Sequence, residues 1–203
     1  RGEAWLVAEG DESDRSLELL RPEIGVVTNV DLDHHSTFGS RAEVEELFGR
    51  WLAHCESAVR GDDVVPVAFD LAVPGEHNRR NAAAALAALE LAGVDCDQAA
   101  AVLAGFTGVG RRLELRGAAG GVTIYDDYAH HPAEIRATLA ATRELHPDAR
   151  LLALFQPHLY SRTRHLAFEL AGALSAADAV CLTEVYPARE EPVEGVTGKL
   201  VVD

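Results

Sequence analysis

Apolar positions fall into two rhythms along the chain. Short β-branched runs at 4–9 (AWLVAE) and 24–30 (IGVVTNV) read as buried strands. Ser40 and Glu43 have capping-box spacing, and Val44, Leu47, Phe48, Trp51 and Leu52 then recur at helical spacing, which predicts a helix to about His54. Residues 56–70 follow neither rhythm and are expected to form a loop. Helices are predicted over 78–92, ended by Gly93, and over 95–104, ended by Gly105. Gly108 and Gly110 mark a hinge-like stretch, and a domain boundary is expected between 107 and 108. The last third alternates regularly. Strands are predicted at 121–126, 150–155 and 179–183, and helices at 132–146, opened by Pro132, and at 163–174. Strand–helix alternation of this kind predicts an α/β fold with a doubly wound parallel sheet.

The 203 residues carry 18 basic against 33 acidic side chains, a formal net charge of −15. Nucleic-acid binding needs a basic face, and an anionic membrane surface attracts basic segments, so neither partner is expected. No apolar run approaches the ~20 residues that span a bilayer. The three cysteines, Cys55, Cys96 and Cys181, are far apart and form no CxxC pair. This is the usage of free thiols in a reducing cytosol. The chain has no methionine, so Arg1 is not expected to be a native N-terminus, and the sequence is expected to be part of something longer.

Unusual polar clusters follow five of the predicted strands. They are 9–14 (EGDESD), 31–35 (DLDHH), 126–131 (DDYAHH), 156–162 (QPHLYSR) and 184–189 (EVYPAR). Open parallel sheets bind ligands at the carboxyl ends of their strands, so the clusters predict two facing sites with a cleft between them. Asp11, Glu12, Asp31, Asp33 and His34 offer ligands for a divalent cation, and oxygen donors suit Mg²⁺. Arg111, Arg112, Arg162 and Arg164 suit phosphate or carboxylate. The adjacent pairs His34-His35 and His130-His131 make poor zinc sites, because neighbouring side chains seldom converge on one ion. Neither a GxSxG elbow nor a GxxxxGK[ST] phosphate loop occurs in these residues.

Seven segments in order, AEGDESDRS (8–16), VVTNVDLDHHSTF (26–38), PGEHNRRNAAAA (74–85), GVGRRLE (108–114), YDDYAHHPAEI (125–135), FQPHLYSRTR (155–164) and EVYPAREEPVEGV (184–196), resemble the Mur ligases of peptidoglycan synthesis. DDYAHHP, QPHLYSRT and VYPAREEP point to the branch that adds L-alanine. The resemblance implies a partial central ATP-binding domain over 1–107 and a truncated, Rossmann-like amino-acid-binding domain over 108–203. It also implies a cytoplasmic enzyme using ATP and Mg²⁺. The carboxylate of UDP-N-acetylmuramate would be activated as an acyl phosphate, and the amine of L-alanine would displace phosphate. Carried onto this sequence, Glu12 and His34 would be Mg²⁺ ligands, and Asn78 and Asn81 adenine contacts. Arg112 would meet ATP phosphate, with Asp127 across from it on the nucleotide. Tyr128 and His130 would face the reacting centre, His130 with a possible part in proton handling, and His158 and Arg162 would seat the amino acid.

Two positions depart from the family pattern: Leu159, where some relatives have Arg, and His35-Ser36, where many have Met-Asp. The family's UDP-binding domain and phosphate loop have no counterpart in these residues, and 56–70 is shorter than in relatives. The 203 residues alone are therefore expected not to turn over. Other readings are a ligase that recycles murein tripeptide, a DHH-type metal phosphoesterase carried by 31–35 alone, and a non-catalytic binding module.

Overall fold

A computed structural model describes residues 5–35 and 37–202. Ala4, which opens the first predicted strand, and Ser36, half of one family departure, lie outside them. The chain forms two compact units, 1–63 and 64–203.

The first unit is built on a βαβ arrangement. Strand β1 (Ile24–Val27) is joined through helix α1 (Arg41–Leu52) to strand β2 (Ser57–Arg60), which pairs with β1 in parallel, Ile24 opposite Ser57. Ser40 caps α1 as expected, its hydroxyl accepting from the Glu43 amide at 3.3 Å. The Glu43 carboxylate accepts instead from the Gly39 amide at 2.8 Å, so the capping box is displaced by one residue. Val44, Leu47, Trp51 and Leu52 of α1 bury their stripe against Leu17, Val27, Val30 and Phe38. Helix and strand approach closely because Gly25 has no side chain: a Cβ there would lie 2.6 Å from Cys55 Sγ and 2.8 Å from Leu52.

Two expectations are corrected in this unit. Residues 5–9 form no strand: Leu6 and Val7 are 90% and 94% exposed, and no strand among the described residues pairs with them. Their composition suits a strand, but a strand forms only against a ladder partner. Conversely, the expected loop over 56–70 contains β2, whose four residues are too few to show a period. A 3₁₀ turn, Ser16–Leu19, also went unpredicted and carries the buried Leu17.

The second unit runs α2 (Glu76–Leu91), α3 (Cys96–Ala104), β3 (Glu114–Ala119), β4 (Val122–Asp126), α4 (Pro132–Leu145), β5 (Leu152–Phe155), α5 (Tyr160–Leu174), β6 (Ala179–Leu182) and a 3₁₀ turn, Gly198–Val201. Strands β5 and β6 are parallel, Leu152 opposite Ala179. Helices α4 and α5 bury Ile135, Leu139, Leu170, Ala173 and Leu174 with Phe155 and Val201. Strand β4 pairs antiparallel with β3, which the sequence reading missed. The two-residue turn Gly120-Gly121 has φ of +58° and +80°, which a hairpin of this length favours and glycine supplies without strain. Asp95 caps α3 through the Gln98 amide at 2.9 Å. Helix α5 begins three residues earlier than expected. Among the described residues no helix is long and apolar enough to cross a membrane.

Candidate functional site

The first unit gathers Asp11, Glu12 and His34, with one donor atom of each within 4.8 Å of the others. His34 Nε2 stands 3.7 Å from Glu12 Oε1 and 3.9 Å from Asp33 Oδ2. Local bonds fix this arrangement. Asp11 accepts from the Ser13 amide and Asp33 from the His34 amide, both at 2.8 Å, while Thr37 donates its hydroxyl to Ser13 O at 2.7 Å. The last bond ties the two loops together. Ligands of one Mg²⁺ with bonds of about 2.1 Å can be no more than about 4.2 Å apart, so Glu12 and His34 fit a single ion. Two carboxylates suit a hard cation, and the imidazole is the less usual donor.

In the second unit, the carboxyl end of β4 leads into Asp127, Tyr128, His130 and His131. Asp127 accepts from the Leu113 and Ala129 amides, both at 2.7 Å, so it shapes the turn around Arg112. Arg112 Nη1 meets Glu134 Oε1 at 3.2 Å. The other Glu134 oxygen accepts from the amides of His130 and His131 at 3.0 and 3.2 Å, completing a capping box in which His131 is the N-cap of α4. Burial alone would push the Glu134 carboxyl up. The His130 amide, the His130 ring, the His131 amide and Arg112 more than offset this, and it titrates below the usual carboxylate range. Glu134 was not singled out in the sequence; its signal was the three-residue spacing from His131.

The carboxyl ends of β5 and β6 complete the cluster. A parallel bridge joins His158 to Tyr186, and their rings stack at 5.7 Å. His158 lies 5.7 Å from His130, whose ring meets Tyr128 edge-on at 5.1 Å, while Arg111 covers the Tyr128 face at 4.5 Å. Arg162, 4% exposed, places Nη1 2.8 Å from His158 Nδ1. The structure thus brings Tyr128, His130, His158 and Arg162 together and adds Tyr186 and Arg111.

Asn78 stands at the start of α2 and donates to Pro74 O at 2.7 Å, while Asn81 is exposed one turn on. Gly75 before them is constrained: its φ is +97°, and a Cβ would lie 2.7 Å from the His77 ring and 2.9 Å from Ala141. Arg79 anchors α2 to α4 through Glu144 at 2.9 Å. Burial lowers the pKa of His77 below its ordinary value of 6.5, and the charges of Asp127 (raising) and Arg112 (lowering) also act on it. The pH dependence has a defined sign. Below 6.5 the unfolded chain gains a proton that folded His77 resists, so stability falls from pH 6.5 toward the lower folded pKa and levels off beneath it. His77→Gln is expected to lose less stability than the parent between pH 7.5 and 5.5, by at most about 1.4 kcal/mol over the whole interval. Urea midpoints at both pH values measure this, and equal losses in the two proteins refute it.

Non-glycine residues with left-handed backbone recur at these clusters: Arg15 and His34 in the first unit, Arg111, Leu113, Leu159 and Ala188 in the second. Such conformations cost energy and persist where the surroundings impose them, often at functional sites.

Residues 111–202 match the family described as Mur ligase, glutamate ligase domain. These residues belong to the Mur ligase family. The chain is 41% identical to UDP-N-acetylmuramate–L-alanine ligase of Renibacterium salmoninarum, across 97% of this chain and 53% of that protein. It therefore spans about half the length of the curated Mur ligases it matches. The alignment covers 248 positions, more than the 203 residues here, so the relative carries segments this chain lacks. The Mur ligase fold is also seen in UDP-N-acetylmuramate–alanine ligase MurC of Thermotoga maritima, with a TM-score of 0.65 and 26% identity over 83% of this chain and 47% of that one. A murein peptide ligase of Psychrobacter arcticus shares the fold at a TM-score of 0.54, with 20% identity over 92% of this chain and 47% of that one.

Proposed function

We propose that these residues are the ATP- and amino-acid-binding part of a ligase that joins L-alanine to the carboxylate of UDP-N-acetylmuramate at the expense of ATP, through an acyl phosphate. The observation that carries the reading is the 41% identity, over 97% of the chain, to a protein of that activity. The geometry supports it. Arg162 is buried and braced by His158, and a guanidinium so held loses little freedom on taking a carboxylate. His158 and Arg162 accordingly seat the amino acid, and Tyr128 and His130 border the reacting centre. Arg112 faces ATP phosphate, Asp127 holds its turn and meets the nucleotide, and Asn78 and Asn81 take the adenine. Glu12 and His34 would hold Mg²⁺, which screens the negative charges of the reacting carboxylate and phosphates.

In this reading a domain boundary falls at 107/108, near the start of the family match at Arg111, whereas the compact units of the fold divide at 63/64. Free Cys55, Cys96 and Cys181 support a place in the cytosol.

The test is phosphate release from ATP by the intact gene product with UDP-N-acetylmuramate, comparing L-alanine with a murein tripeptide. Release that depends on alanine is the expected result. Dependence on tripeptide reassigns the protein to peptide recycling, and dependence on neither removes the reading. The 203 residues alone, which contain no phosphate loop, are expected to release none.

A further inference from the structure

Helix α5 carries Arg162 in its first turn, yet its own N-terminus supplies no cap. The N-cap residue, Leu159, has φ +69° and makes no side-chain capping bond. The cap comes from a distant loop. The Glu190 carboxylate accepts from the Ser161 amide at 2.8 Å and from the Ser161 hydroxyl. The same loop is tied to the segment before α5 by main-chain bonds, Leu159 N–H to Tyr186 O at 2.9 Å and Tyr186 N–H to Pro157 O at 2.8 Å. Glu190 is half-buried and its charge also acts on Arg162. A carboxylate at this place satisfies a helix amide that has no partner within the helix and complements the helix dipole.

We propose that Glu190 is a positioning residue for amino-acid binding: by capping α5 from the loop after β6, it fixes the angle at which Arg162 and His158 present themselves to a substrate carboxylate. The proposal rests on the amino-acid role given to Arg162 above. Glu190 touches no substrate. Its effect passes through the first turn of α5, where a shift of about 1 Å is enough to cost up to 10²-fold.

The experiment uses the intact gene product. Glu190→Ala is expected to raise the KM for L-alanine about tenfold while the KM for ATP stays unchanged. Glu190→Gln, which keeps one accepting oxygen, is expected to recover part of the loss. A purely structural role predicts a lowered melting temperature with both KM values rising together, and that result overturns the proposal, as does an unchanged KM for alanine. Amide hydrogen exchange and the Arg162 side-chain nitrogen resonance provide a readout free of turnover. Faster exchange at Ser161 with a shifted Arg162 resonance, in folded Glu190→Ala protein, supports positioning even if the parent proves to use another amino donor. Unchanged exchange and resonance overturn it whatever the ligase assay gives, whereas failure of the parent to use alanine overturns only the assignment of substrate.

Discussion

Arg162→Lys is expected to raise the KM for L-alanine about 100-fold while leaving the KM for ATP near its parent value. The guanidinium is buried and held by His158 at 2.8 Å, so its plane is fixed before substrate arrives. Lysine keeps the charge and most of the aliphatic stem, but it has neither the two parallel donors that match a carboxylate nor the geometry to meet His158 at the same time. Hydrogen bonds to charged groups contribute about 1.5–3 kcal/mol each, and the loss of one such bond to substrate accounts for a change of that order. Steady-state phosphate release at varied alanine and varied ATP separates the two constants. A folded Arg162→Lys protein with the parent's alanine KM removes Arg162 from the amino-acid site.

Gly61→Ala should cost the first unit about 3 kcal/mol, at the upper end for a single overpacking change. Gly61 follows β2 directly and donates to Val27 O at 2.7 Å, closing the β1–β2 ladder. A Cβ at this position would lie 2.0 Å from Thr28 O and 2.8 Å from Thr28 C. Those are main-chain atoms, so nothing can swing aside, and either the strand end moves or the closing hydrogen bond breaks. Gly49→Ala is the matched control. It lies within α1 with no atom within 4 Å of its added carbon, and alanine there is expected to gain about 0.5–1 kcal/mol. Opposite shifts in the urea midpoint are the expected outcome. A Gly61→Ala protein as stable as the parent would mean that β1 and β2 do not approach as described.

Local signals were enough for much of the second unit. Pro132 at the first position of α4, the spacing of Ile135, Leu139 and Thr142 on its buried face, and the apolar runs of β5 and β6 all act within one element, and each appears where its pattern puts it. The start of α5 depends on Glu190, thirty residues away in sequence, so no window around Leu159 contains the cap. Strand β3 was hidden by Arg116 and by the irregular pairing at Gly117, though Gly120-Gly121 was a hairpin signal that could have been used. Residues 5–9 show the opposite failure, since composition cannot say whether a partner strand is present. The candidate site followed the same division. Clusters at strand ends were visible as runs of unlike polar residues, and Tyr128, His130, His158 and Arg162 do converge. Glu134 and Glu190 were not visible, because they act by accepting amide hydrogen bonds and an isolated glutamate carries no mark of that duty.

The two compact units also divide the chromophores between them. Both tryptophans, Trp5 and Trp51, fall in residues 1–63, and all four tyrosines, 125, 128, 160 and 186, in residues 64–203. Trp51 is packed in the core of the first unit, so its indole emission reports melting of that unit alone. Phenol absorbance comes from the second unit and overlaps the indole band, and Tyr128 and Tyr186 place two of those phenols beside His130 and His158. For residues 1–203, indole emission thus follows the first unit selectively, and its coincidence with or separation from the loss of helix signal measures how far the units unfold as one.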